Sequence, residues 1–304
     1  MISSISVFYS HNFLKHDTGP GHPERPDRIM ACVAALKNCD FVDQLEWKSP
    51  RSATEEELKY IHSVQHIKHV KQVCKTSGLL DSDTVVCPES YNIAKQSAGA
   101  WLDGVQEVLN MNSAFILSRP PGHHAERNRA MGFCLFSNAA LAAYFALKQN
   151  GIHKVCIFDW DVHHGNGTQD IIKNNPNIYY ISTHQFPFYP GTGFHTDTGQ
   201  HNNILNIPLI EGTNSIEYLK IFDEIVIPFI QKSDSDILIV SAGFDAHRRD
   251  PLASINLETE DFAYMTKKLL KIQPNLLIGL EGGYDLTSLG ECCVVIAKAL
   301  LDDA

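Results

Sequence analysis

The sequence predicts an α/β fold: one mostly parallel central sheet with helices on both faces. Three observations predict it. Short apolar runs rich in β-branched residues recur along the chain, segments with helical spacing separate them, and every run is followed at once by glycine with polar or titratable residues. Apolar strands alternating with helices form a sheet buried on both faces.

The runs are "AFIL" (114–117), "KVCIF" (154–158), "IYYIS" (178–182), "DILIV" (236–240) and "LLIGL" (276–280). Before them, Ile29, Met30, Cys32, Val33 and Leu36 give 28–37 a helical stripe. The stretch 53–73 opens on Thr54 with Glu57, a capping box, and reads as one helix. Further helices are expected over 91–110, 136–149, 215–231, 259–272 and 288–302. Asn150-Gly151 stops the second of these five, and Pro274 ends the fourth.

Nothing divides the chain. It has 304 residues, 44% hydrophobic, with no internal repeat, low-complexity segment or Pro/Ser-rich linker, so residues 1–304 are expected to form a single domain. The formal net charge of -10 argues against binding nucleic acid or an anionic membrane through a basic surface, and would suit a cationic ligand. The N-terminal apolar stretch is four residues long, too short for a signal peptide, and no window approaches a membrane span. Eight cysteines lie scattered without CxxC or finger spacing, which predicts a reduced, cytoplasmic protein.

The runs are followed by "SRPPGHHA", "DWDVHHGNG", "THQFPFYPGTG", "SAGFDAHRRDP" and "EGGYD". Ligands of open parallel sheets bind at the carboxyl ends of the strands, so these five loops are expected to build one site. Asp161 and His163, two apart in an extended loop, can clasp one ion, and Asp245 offers a carboxylate from another strand end. Two carboxylates and one imidazole suit Zn²⁺, with Fe²⁺ the alternative; the bland reading is a polar loop capping a helix at "GNGTQDII". The tandem His123-His124 reads as two proton handlers, or one handler and one electrostatic stabiliser, with Asp159 and Asn166 as candidate partners. Tyr284, after Gly282-Gly283, can sit on a mobile loop and offer its phenol to an oxyanion. His62, His66 and His69 share helical spacing but lack a carboxylate context and read as a solvated helix face. His11, His16 and His22 flank "GPGHPERPDR", a structured loop near the site mouth.

Together "HPERPDRI", "RPPGHHA", "GFCLFSNAALAA", "DWDVHHGNGTQ", "YPGTG", "SAGFDAHRRDPL" and "LEGGY" resemble the histone deacetylase family, in the arginase-deacetylase superfamily. The likeness runs from about residue 16 to 302 with the motifs in the family's order. "RPPGHHA" and Asn166 resemble the class II and bacterial deacetylase-like amidohydrolase branch more than class I. The resemblance implies a zinc held by Asp161, His163 and Asp245, His123 paired with Asp159, His124 with Asn166, and Tyr284 polarising the scissile carbonyl. It also implies a substrate channel walled by Gly132, Phe133 and Tyr189, the last a departure from the family's usual phenylalanine. Asp83 falls where some members hold the substrate backbone. A structural potassium would use Asp159, Ser182 and Thr183 with the carbonyls of Asp161 and His163.

The expected activity is removal of acetyl or other acyl groups from lysine side chains, with His124 as base. The alternatives are deacetylation of polyamines or other small acylated amines, a non-catalytic acyl-lysine binder, and a two-metal arginase-like hydrolase. Relatives selective for polyamines carry an acid just after the "DP" motif; this chain has Leu252 there, which favours acyl-lysine peptides. The oligomeric state is not legible from the sequence.

Overall fold

A computed structural model describes residues 4–110 and 113–302. The strands are β1 (Ile5–Phe8), β2 (Leu45–Lys48), β3 (Gly78–Leu79), β4 (Val85–Val86), β5 (Ala114–Ile116), β6 (Val155–Asp159), β7 (Ile178–Gln185), β8 (Ile204–Leu209), β9 (Ile237–Ala242) and β10 (Leu276–Leu280). The helices are α1 (Pro26–Lys37), α2 (Glu55–Leu58), α3 (Val64–Thr76), α4 (Ser90–Leu109), α5 (Asn138–Ala146), α6 (Asn166–Ile172), α7 (Ser215–Ile221), α8 (Ile227–Ser233), α9 (Thr259–Ile272) and α10 (Leu286–Asp302). Eight strands form one sheet in the order β2-β1-β5-β10-β9-β6-β7-β8, with every pairing parallel. β3 and β4 make a small antiparallel hairpin.

The alternation of strand side chains divides the core between two faces. Cys156, Phe158, Leu238 and Val240 pack with residues of α1, α9 and α10, while Val155, Ile157, Ile237 and Ile239 pack with α4 and α5 on the other side. All five strands expected from the sequence are present. β1, β2 and β8 join them at the flanks, where "LEWK" and the Asn206-Pro208 segment break the apolar pattern.

Two helices differ from expectation. The segment 53–73 is not one helix: α2 keeps the Thr54–Glu57 capping box, and Ser63 then starts α3 as a fresh N-cap, accepting from the His66 N–H. The solvated-face reading of its histidines is corrected for two of the three. His62 and His66 are buried because their rings tie down loops. His62 donates to the Glu126 carbonyl and accepts from the Ser137 N–H, and His66 donates to the Leu135 carbonyl; His69 is exposed. The helix expected over 215–231 runs from Ser215 to Ser233 but widens to a π turn over Phe222–Val226. Pro228 has no N–H to give the Glu224 carbonyl and its ring crowds it, and the wide turn absorbs that mismatch. No described helix is long and apolar enough to cross a membrane.

Candidate functional site

The carboxyl ends of β5, β10, β9, β6 and β7 lie side by side at mid-sheet, so their loops meet. β6 ends on Asp159 and hands Asp161 and His163 to the turn beyond it; the loop after β9 supplies Asp245. The ligand atoms of Asp161, His163 and Asp245 all lie within 4.8 Å of one another. His163 Nδ1 is 3.1 Å from Asp161 Oδ1 and 3.2 Å from Asp245 Oδ2. The backbone locks both acids: Gly282 N–H donates to Asp161 Oδ2 at 2.8 Å, and Val162 N–H to Asp245 Oδ1 at 2.9 Å. A side chain at Gly282 would put its Cβ 2.2 Å from Asp245 Oδ2, so only glycine fits. Two fully buried carboxylates this close demand positive charge between them. In the chain alone, burial would lower His163, but Asp161 and Asp245 drive it up to about 10. A divalent cation answers the same demand, and the donor set fits one.

Next to this cluster the rings of His123 and His124 are 3.9 Å apart between centroids. His123 Nδ1 donates to Asp159 Oδ2 at 3.2 Å; His124 Nδ1 donates to Asn166 Oδ1 at 2.8 Å, which leaves its Nε2 free to accept. The Asn166 amide is oriented by donating to Glu126 Oε1. Burial would lower His123, yet the Asp161 and Asp159 carboxylates hold it well above the usual imidazole range. Burial, reinforced by the cationic His123 and His163, holds His124 well below it. His164, the other imidazole of the motif, bonds to Thr192 and Gln169 and has no part in the donor set.

A cavity of about 260 Å³ opens onto these groups, lined by Asp83, His124, Gly132, Phe133, His163, Phe188, Tyr189, Leu252 and Tyr284. All five rim residues singled out in the sequence are there. Gly132 and Phe133 both have positive φ, and a Cβ at Gly132 would lie 2.4 Å from the His124 ring; the glycine lets the wall close on the imidazole. Phe188, which sequence reasoning missed, stacks on His163 at 5.4 Å. His22 donates to the Asp83 carbonyl and packs edge-on against Phe133, putting the "GPGHPERPDR" loop at the mouth. A larger open hollow of about 500 Å³ between α1 and α10 brings Glu260 and Glu291 but no histidine among its lining residues.

Tyr284 is anchored, which corrects the expectation of a mobile loop. Its N–H donates to Asp250 Oδ2 at 2.6 Å, Arg28 Nε donates to the Gly283 carbonyl at 2.6 Å, and the Arg28 guanidinium lies 4.9 Å over the phenol ring. Arg28 is itself held by Glu24, which also takes a two-pronged bond from Arg119, all three fully buried. Burial pushes the Tyr284 hydroxyl well above its ordinary range, so it stays a neutral donor. Asp250, Glu24, Arg28, Arg119 and Glu281 were quoted inside motifs without being singled out. For Glu281 the signal was a charge set directly after the all-apolar strand β10, which only a built partner tolerates; Asp250, Glu24 and Arg28 carry no such mark.

Asp159 faces Ser182 across the β6–β7 pair. Its carboxylate accepts from His123, Tyr180 and the Asp161 N–H; Ser182 Oγ bonds His184 and Thr183 Oγ1 bonds Tyr218.

Residues 22–300 match the histone deacetylase domain family. An uncharacterised protein of Synechocystis sp. is 47% identical over 98% of this chain and 99% of its own length. A probable deacetylase of Archaeoglobus fulgidus is 33% identical over 92% of this chain and 81% of its own. The crystal structure of the HDA15 HD domain superposes with a TM-score of 0.95 at 35% identity, covering 99% of this chain and 90% of that one. The parallel sheet, the site at its strand ends and these similarities together place the chain in the histone deacetylase family, and with it in the deacetylase class of hydrolases.

Proposed function

We propose that the chain is a zinc-dependent lysine deacylase, hydrolysing the amide between an acetyl or related acyl group and the ε-nitrogen of lysine in peptides. One observation carries this reading: two touching imidazoles of opposite charge preference face the Asp161, His163 and Asp245 donor set at the end of a narrow aromatic cavity. Zinc bound there supplies Lewis-acid polarisation and a more acidic water. Phe133, Phe188 and Tyr189 sheathe the aliphatic part of the substrate side chain and exclude bulk water. His124 Nε2, neutral and unprotonated, takes the proton of the attacking water. The Tyr284 hydroxyl donates to the oxyanion that forms at the carbonyl, where a fixed donor is worth most. His123, held as imidazolium by Asp159, supplies the proton the leaving amine needs.

At position 252 the cavity wall carries an uncharged leucine, not an acid that would pair a polyamine's second ammonium, which favours peptidyl lysine. The Asp159, Ser182 and Thr183 set with the Asp161 and His163 carbonyls is proposed to hold a structural potassium; the side chains of Asp159, Ser182 and Thr183 are buried, and Asp159 accepts from His123. All eight cysteines are free thiols, in keeping with a reduced cytoplasm. The deciding experiment is metal analysis of the purified protein alongside hydrolysis of acetyl-lysine peptides and acetylated polyamines, with and without chelator. Chelator-sensitive cleavage of the peptides supports the proposal; polyamine preference or chelator-resistant cleavage overturns it.

A further inference from the structure

The His123-His124 turn is held on two sides by different means. On the carbonyl side, the His123 C=O accepts from Gly167 and Thr168 at 3.0 Å each, at the start of α6. On the amide side, the Gly122 and His123 N–H groups both point at one carboxylate oxygen, Glu281 Oε2, at 2.6 and 3.2 Å. The other oxygen, Oε1, accepts from Ser241 Oγ at 3.2 Å. Glu281 follows β10, which lies between β5 and β9, so its side chain spans from the turn after β5 to Ser241 near the end of β9. Its own backbone is fixed as well: its N–H donates to the Ala242 carbonyl at 2.9 Å, and its C=O accepts from Arg28 Nη2 at 2.6 Å. It is fully buried and has no step in the chemistry above.

A fully buried carboxylate is kept in a fold only where its lone pairs are used, and these are used on the turn that carries the proton handlers. We infer that Glu281 is the positioning residue of the imidazole pair: its carboxylate is the acceptor that fixes the amide side of the His123-His124 turn, and so aims both rings at the reacting atoms. The inference rests on the deacylase reading above for its kinetic consequence, but not for its structural one. Glutamine at 281 retains the geometry, since its carbonyl oxygen accepts the two N–H groups while its amide donates to Ser241 Oγ. Alanine leaves both N–H groups without a partner and frees the turn to shift.

The test compares Glu281→Gln and Glu281→Ala in the metal-loaded enzyme on an acetyl-lysine peptide, with amide hydrogen exchange read over residues 119–126. Misplacement of catalytic groups by a fraction of an ångström appears in turnover rather than in binding, so Glu281→Ala is expected to lower kcat by about 10²-fold with KM within about twofold. Glu281→Gln is expected to stay within about threefold of wild-type kcat, with amide exchange as slow as wild type, against fast exchange in Glu281→Ala. Wild-type kcat in the alanine variant overturns the inference. So does a glutamine variant as impaired as alanine, because charge and not hydrogen-bond acceptance would then be at work. If Glu281→Ala does not fold, Glu281→Gln decides: retained kcat with protected amides supports the role, and lost kcat in a folded protein overturns it. If the wild type cleaves no acyl-lysine substrate, the proposed function fails, while the exchange comparison still tests the anchoring of the turn.

Discussion

His123 and His124 touch ring to ring, 3.9 Å between centroids, yet one is anchored to a carboxylate and the other to a neutral amide. That asymmetry underlies the proposed division of work, in which the first imidazole holds a proton and the second has room for one.

Asn166→Asp tests the neutral partner. A carboxylate in place of the amide that accepts from His124 Nδ1 raises the His124 pKa by about one unit or more. A base acts only when unprotonated, so a raised pKa moves the acidic limb of the kcat/KM profile to higher pH. An unmoved limb would refute His124 as base. His124→Ala is expected to lose about 10²- to 10⁴-fold in kcat, measured on the same peptide.

Tyr284→Phe removes the proposed oxyanion donor while keeping the ring that Arg28 stacks on. Loss of one such donor costs about 10²- to 10³-fold in kcat. KM should move little, since the hydroxyl acts where charge develops. Steady-state kinetics separate the two, and a change confined to KM would rule the donor role out.

Metal removal should be visible in stability as well as in activity. Without a cation, a proton on His163 compensates Asp161 and Asp245, its pKa rising to about 10 from an ordinary 6.5. The folded value lies above the unfolded one, so this stabilisation is complete below about pH 6.5 and is lost as pH climbs through about 10. Chelated protein should therefore lose Tm across that window relative to zinc-loaded protein, whose cation takes the place of the proton. Parallel Tm–pH curves for the two forms would contradict the shared charge site.

Arg119→Ala strands Glu24 with half its compensation. Glu24 is fully buried and ionised only because Arg119 and Arg28 outweigh its burial. Breaking a buried pair by deleting one partner costs about 3–5 kcal/mol. Denaturant unfolding of the variant should show a loss of that size; a loss under about 1 kcal/mol would mean water replaces the guanidinium.

The inner strands were legible because β5, β6, β7, β9 and β10 are covered on both faces and read as unbroken apolar runs. β1, β2 and β8 lie toward the flanks, where sequences such as "LEWK" carry no such mark. The grouping of Asp161, His163 and Asp245 was legible because each stands three to five residues beyond an apolar run. His62 and His66 were misread, since helical spacing cannot reveal the break that Ser63 introduces. Phe188 and Glu281 went unremarked for a different reason. Their roles depend on which loops become neighbours, and that is decided by strand order, which the linear pattern does not contain.

The residues proposed to touch the reacting atoms sit beyond the ends of interior strands; Phe133 and Leu252 share loops with the imidazole pair and with Asp245, whereas Asp83 rides on the β3–β4 hairpin and Phe188 and Tyr189 on the β7–β8 loop. Those last three can therefore diverge at a different rate from the machinery they surround. A lineage can retune which guests it admits by exchanging loop tips one at a time, each with little penalty to folding, while the engine beneath is inherited unaltered.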